Sequence, residues 1–140
     1  MPCPQTIVEN LCIPRGATFK KIFDVFDVTV DPEVPIDLSD RSWRSQVRKS
    51  VNAPDPPLAE WLETGPSPQP QIFVEDIPGL TPGNNGRIRI EVGATETETY
   101  LFTAGVYDLE GELKTDPDDV IRLSQGDVEV DPDVTRDPPP

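Results

Sequence analysis

The sequence predicts an all-β fold, a single antiparallel β-sandwich of about seven to nine strands. Three observations carry this. Apolar and polar residues alternate at Ile88, Ile90 and Val92, at Tyr107 and Leu109, and at Val128 and Val130. That period of two belongs to half-buried strands. Clusters rich in glycine and proline separate these runs at short spacing, and no segments supply the crossover helices that a parallel α/β architecture needs.

Composition sets the scale. The 140 residues form one domain, and a chain of this size buries roughly two-thirds of its unfolded surface. An apolar content of 35% lies below the usual ~45–50%. Together with 18 prolines and nine glycines, it assigns part of the length to loops and tails. The expected division is an extended N-terminal arm at 1–14, a sandwich domain at 15–131 and a proline-rich tail at 132–140.

In the arm, Pro2, Pro4 and Pro14 oppose helix, and Ile7, Val8, Leu11 and Ile13 offer apolar surface to a partner. After Gly16 comes a strand over 18–30, TFKKIFDVFDVTV, rich in β-branched and aromatic residues. Phe19, Phe23 and Val25 share one side, whereas Ile22, Phe26 and Val28 share the other. Such a change of buried side predicts a bulge near Asp24. A connector at 35–40 leads to a strand over 41–49, with Trp43, Ser45 and Val47 inward and Arg44, Gln46 and Arg48 outward. Trp43 is the expected core anchor.

Prolines at 54, 56, 57, 66, 68 and 70 crowd the next stretch, and only LAEWLET at 58–64 reads as a short strand or helical turn. Residues 71–77 form another strand, and PGLTPGNNG at 78–86 is a turn cluster. Residues 87–92 alternate cleanly, ATETET at 94–99 makes one helical turn, and 105–110 begins the closing pair of strands. These are separated by a polar loop, KTDPDD, and Gly126 acts as a hinge in the last strand. VTVDPEV at 28–34 and VEVDPDV at 128–134 echo each other, as one strand-exit solution used twice.

Charge narrows the partners. Twelve basic against 26 acidic residues leave a net charge of −14, which repels phosphate backbones and anionic membranes. No nucleic-acid or membrane partner is expected, and the first residues lack the basic start and apolar run of a signal peptide. With no histidine and only Cys3 and Cys12, a zinc site lacks ligands, and both cysteines are expected as free thiols of a reducing compartment.

Chemistry-bearing clusters have plain alternatives. Asp116, Asp118 and Asp119 fall short of calcium-loop spacing and read as a solvated loop, and Asp31, Glu33, Asp131 and Asp133 read as turn caps. No serine sits in a nucleophile-elbow pattern, and chance pairs among so many acids carry no catalytic signal. The expectation is a protein that is not an enzyme and holds no cofactor or metal. Arg44 and Arg48, in the basic cluster with Arg41 and Lys49, suit an acidic neighbour or local acids such as Asp40. Leu58 and Trp61, core residues by type, are also a candidate exposed anchor because prolines flank them.

Several segments, in their order, resemble a family of small bacteriophage virion proteins. They are Gly16-Ala17-Thr18-Phe19, the connector Ile36-Asp37-Leu38-Ser39, the strand from Trp43 to Arg48, GRIRI at 86–90, GVYDLE at 105–110 and the closure from Arg122 to Arg136. The arrangement is similar to immunoglobulin-like β-sandwiches of phage tail and baseplate proteins, including the N-terminal domain of upper baseplate proteins of the BppU type. The resemblance implies a virion-located docking or adaptor module of the tail or baseplate. Its partners would be tail, baseplate, fibre or capsid subunits and further copies of itself. A capsid decoration protein is the nearby alternative, and a stand-alone glycan- or calcium-dependent binding module the distant one. No fibre or receptor-binding domain is expected after Arg136. The interface candidates are Ile7, Val8, Leu11, Arg44, Arg48, Leu58 and Trp61.

Overall fold

A computed structural model describes residues 6–63 and 71–132. Cys3, the prolines at 66, 68 and 70 and the tail beyond 132 lie outside the described residues.

The regular structure of the described residues is almost entirely strand. In order it forms β1 (Ile7–Val8), β2 (Leu11–Pro14), β3 (Phe19–Asp24), β4 (Phe26–Asp27), β5 (Val34–Pro35), β6 (Arg41–Arg48), β7 (Ala59–Leu62), β8 (Ile72–Glu75), β9 (Arg87–Val92), one helical turn α1 (Ala94–Thr97), β10 (Ala104–Leu113) and β11 (Asp116–Asp131). A six-stranded sheet runs β1–β11–β10–β6–β7, with β2 also on β11; a three-stranded sheet runs β3–β9–β8. β4 and β5 form a separate two-stranded ribbon.

The two sheets cover one core. Phe19, Phe23, Ile72, Ile88, Ile90 and Val92 of the smaller sheet meet Trp43, Val47, Trp61, Tyr107, Leu109, Val128 and Val130 of the larger. This sandwich is the all-β fold expected, and the outward sets at Arg44, Gln46 and Arg48 and at Asp108 and Glu110 follow from the same alternation.

Trp43 anchors the core as expected. Its indole nitrogen donates to the Leu38 carbonyl at 2.9 Å, and its ring lies over Gly111, the residue opposite it on β10. A Cβ at Gly111 would sit 2.7 Å from that ring. The glycine therefore opens the space that the indole fills.

The N-terminal segment departs from expectation. β1 and β2 are not a free arm; both run parallel to β11, Ile7 opposite Ser124 and Leu11 opposite Val128. Gly126 marks the jog between them and is no hinge: a Cβ there would overlap the Glu9 carbonyl. The same carbonyl accepts from the Tyr107 hydroxyl at 2.6 Å, and Glu9 N donates to the Gln125 carbonyl at 3.0 Å. Leu11 and Ile13 consequently join the core.

Two further departures concern strand limits. The strand expected over 18–30 ends at Asp24, after which the chain leaves β9 for the ribbon. The polar loop at 114–119 shrinks to a turn at Lys114-Thr115, with Asp116–Asp119 continuing as the start of β11. β11 carries a register shift where Leu109 faces Ser124 and Glu110 faces Arg122. The extra residue, Leu123, makes two successive side chains, Leu123 and Ser124, point into the core.

Candidate docking surfaces

The outward face of the larger sheet collects the charged residues of β6, β10 and β11. Glu110 is opposite Arg44 on one side and Arg122 on the other, and Asp108 is opposite Gln46 and Gln125. The ion pairs are loose, at 3.8 Å for Arg44 with Glu110 and 3.8 Å for Arg122 with Asp108. Partial burial first, then the charge and hydrogen bond of Asp108, raise the pKa of Glu110. The arginines do not fully offset this.

Above these residues lies an open hollow of about 400 Å³, bordered by Val8 on one flank and Val51 on the other, with Gln46, Arg48, Asp108 and Arg122 in its walls. Arg48 is held within the hollow by its own loop. Its guanidinium donates to the Asp55 carboxylate at 2.6 Å, the Gln46 side-chain oxygen at 2.8 Å and the Ala53 carbonyl at 3.2 Å. Such an arginine is already satisfied. Arg44 is exposed and, among the described residues, its side chain is paired with Glu110 alone, which leaves it the more available of the two arginines.

The expected contact residues thus divide. Val8 and Arg48 come together at the hollow, Arg44 borders the adjoining groove beside Leu62, and Ile7 is exposed on β1. Leu58 is exposed at the start of β7, beside Gly105.

Leu11 and Trp61 are corrections. Both are buried, Leu11 because β2 pairs with β11 and Trp61 because alternation in β7 turns it inward beneath Phe19, with ring centroids 5.8 Å apart. The Trp61 indole donates to the Tyr100 hydroxyl at 2.9 Å, and that hydroxyl donates to Glu96 at 2.6 Å. Burial, and then the Glu96 hydrogen bond, raise the Tyr100 pKa. Neither residue presents a surface to another molecule.

Sequence reasoning missed Asp108, Glu110, Arg122 and Gln125 as members of this face. Alternation had turned Asp108 and Glu110 outward. Their assembly with Arg44 depends on register, which no local pattern encodes.

Two acids of the 114–119 segment have local partners. Asp116 accepts from Asp118 N at 3.1 Å, and Asp119 accepts from Arg41 at 3.1 Å. Among the described residues no three side chains of metal-ligating type lie together. The Cys12 thiol donates to Asp131 at 3.3 Å, and that bond, with burial and nearby acids, raises its pKa.

No family model and no curated protein matches the chain.

Proposed function

We propose that this protein is a structural component of a bacteriophage particle, a non-enzymatic docking module on the tail or baseplate side. Strand order is the observation that supports the reading. On this reading β11, β10, β6 and β7 correspond to strands G, F, C and C′ of a variable-type immunoglobulin sandwich, and β3, β9 and β8 to B, E and D, assignments with which the observed strand order is compatible. Trp43, buried on β6, would then correspond to the core tryptophan of strand C. The resemblance drawn from the sequence implies the same module.

The parts of the chain available for docking differ from those first expected. Attachment through a free arm at 1–14 gives way to attachment through surfaces, because removing that segment would take Leu11 and Ile13 out of the core. Arg44, Val8 and the ribbon remain exposed.

Quantitative mass spectrometry of purified particles tests the reading. Stoichiometric incorporation at threefold or sixfold copy number is the expected result. Hundreds of copies per particle would assign the protein to the shell as a decoration protein. Its absence from particles, with glycan binding by the isolated chain, would overturn the virion reading.

A further inference from the structure

We infer that the β4–β5 ribbon, residues 26–36, is the surface that grips a partner, and that the partner is a basic protein surface with an apolar slot. This rests on the docking reading above and gives it a location and a chemistry.

The ribbon stands outside both sheets. Only Phe26 with Pro35 and Asp27 with Val34 pair within it, and a two-stranded ribbon is marginal in water by itself. Its base is tied down by Val25 N on the Gly86 carbonyl at 2.9 Å, Ile36 N on the Val25 carbonyl at 2.9 Å and Leu38 N on the Asn85 carbonyl at 3.0 Å. Beyond that base the chain presents branched aliphatics to solvent: Val28 is 75% exposed, Val30 45%, Val34 46% and Ile36 40%. A concentration of exposed apolar side chains on a projecting element marks an interaction site. β-branched side chains are already stiff, so fixing them against a partner costs little entropy.

Charge selects the occupant. Residues 24–37 contain Asp24, Asp27, Asp31, Glu33 and Asp37 and no lysine or arginine. Asp24 is paired with Arg87 at 2.7 Å. Asp27 and Asp37 accept from Thr29 and Ser39 two residues on. Asp31 and Glu33 make no ion pair among the described residues. Both lie between Val30 and Val34 in the chain, and lysine or arginine on a partner complements their charge. Nucleic acid and anionic lipid carry the wrong sign. A second copy, itself at −14, repels for the same reason. The hollow on the larger sheet is the weaker candidate, since its arginines already face carboxylates of the same chain.

The test is an amide-resonance titration of the full chain with the heptapeptide Lys-Val-Lys-Val-Lys-Val-Lys, against a control in which serine replaces valine. Shifts confined to 22–37 are expected, with the valine peptide binding at least about ten-fold more tightly than the control. Val28→Ser with Val34→Ser, and Asp31→Asn with Glu33→Gln, should each weaken binding by about ten-fold while leaving the melting temperature unchanged. Shifts spread over the whole acidic surface, equal binding of both peptides, or variants that bind like the wild type would each overturn the proposal. So would a concentration-dependent dimer in sedimentation that the double valine variant abolishes, because the occupant would then be a second copy. Ribbon variants that enter particles as well as the wild type refute the ribbon and leave the adaptor reading standing. Absence of the wild type from particles refutes the adaptor reading, and the ribbon is then judged by the peptide alone.

Discussion

Two closely similar short phrases in this chain have opposite outcomes. In VTVDPE, starting at Val28, the two valines are 75% and 45% exposed; in VEVDPD, starting at Val128, both are 2% exposed. Local propensity does not explain the outcome, since Thr29 in the exposed copy favours strand more than Glu129 in the buried one. The second copy lies between two strands, with Gly105 opposite Val128 on β10 and Leu11 and Ile13 opposite Val128 and Val130 on β2. The first copy is the turn that joins the two strands of the ribbon, and its residues pair with no strand among the described residues. Burial here comes from strands paired on both sides, one of them more than a hundred residues distant, in one case and from none in the other, which is why strand preference alone cannot tell a core strand from an exposed turn.

The comparison breaks most decisively at its buried half. Val128→Asp places an unpaired carboxylate in the core at a cost of several kcal/mol, a large part of a domain's ~5–15 kcal/mol, so the variant should be unfolded or close to it by circular dichroism at room temperature. Val28→Asp should alter stability by less than about 0.5 kcal/mol. Equal losses for the two would remove the distinction. Next in size is the core anchor: Trp43→Ala should cost ~3–5 kcal/mol in denaturant unfolding, with no counterpart of that size on the ribbon.

A smaller effect isolates the seam that shelters Val128. Gly126→Ala drives a methyl into the Glu9 carbonyl and should cost roughly 1–3 kcal/mol. At Gly93 nothing lies within 4 Å of an added Cβ, so Gly93→Ala should be close to neutral. Similar midpoints for the two alanine variants would mean that β1 and β2 do not hold β11.

The smallest effects are in pH, and they carry opposite signs in the two regions. Bonds from the Thr29 hydroxyl and then its amide lower the pKa of Asp27 in the ribbon, so that stabilisation is present above the unfolded value and lost as pH falls through the folded one. Ribbon amides should therefore lose exchange protection on acidification before those of β10. On the larger sheet Glu110 is raised by burial and Asp108; its ionised form is disfavoured by folding, and stability is lost as pH rises through the raised value. Glu110→Gln should then melt above the wild type at pH 7, with the gain fading toward acid pH. A constant difference across the titration would count against this assignment.

Much of the sandwich was legible. β9 has the limits its alternation predicts, the helical turn falls within 94–99, and the inward and outward sets of β6 and β10 are those read from a period of two. What escaped was pairing. Leu11 reads as an exposed arm residue until β11 is placed beside it, and Trp61 as a surface anchor until β7 is docked on β6. Asp116 to Asp119, polar and broken by Pro117, read as loop, yet they continue a hairpin strand. The candidate face was half legible for the same reason: alternation turned Arg44 and Arg48 outward, and only register brings Glu110 and Arg122 alongside Arg44.

The seam between Glu9 and Gly126 also orders events in time. Cys12 and Asp131, in contact across it, are 119 residues apart in the chain. At ~5–20 residues per second, a ribosome would need roughly 6–24 s to deliver the second after the first. During that interval Leu11 and Ile13 have no sheet to enter, and β10 remains an open edge. Closure of the sandwich therefore waits for β11, the last of its strands to be made, and a chain still lacking that strand is the form most exposed to aggregation.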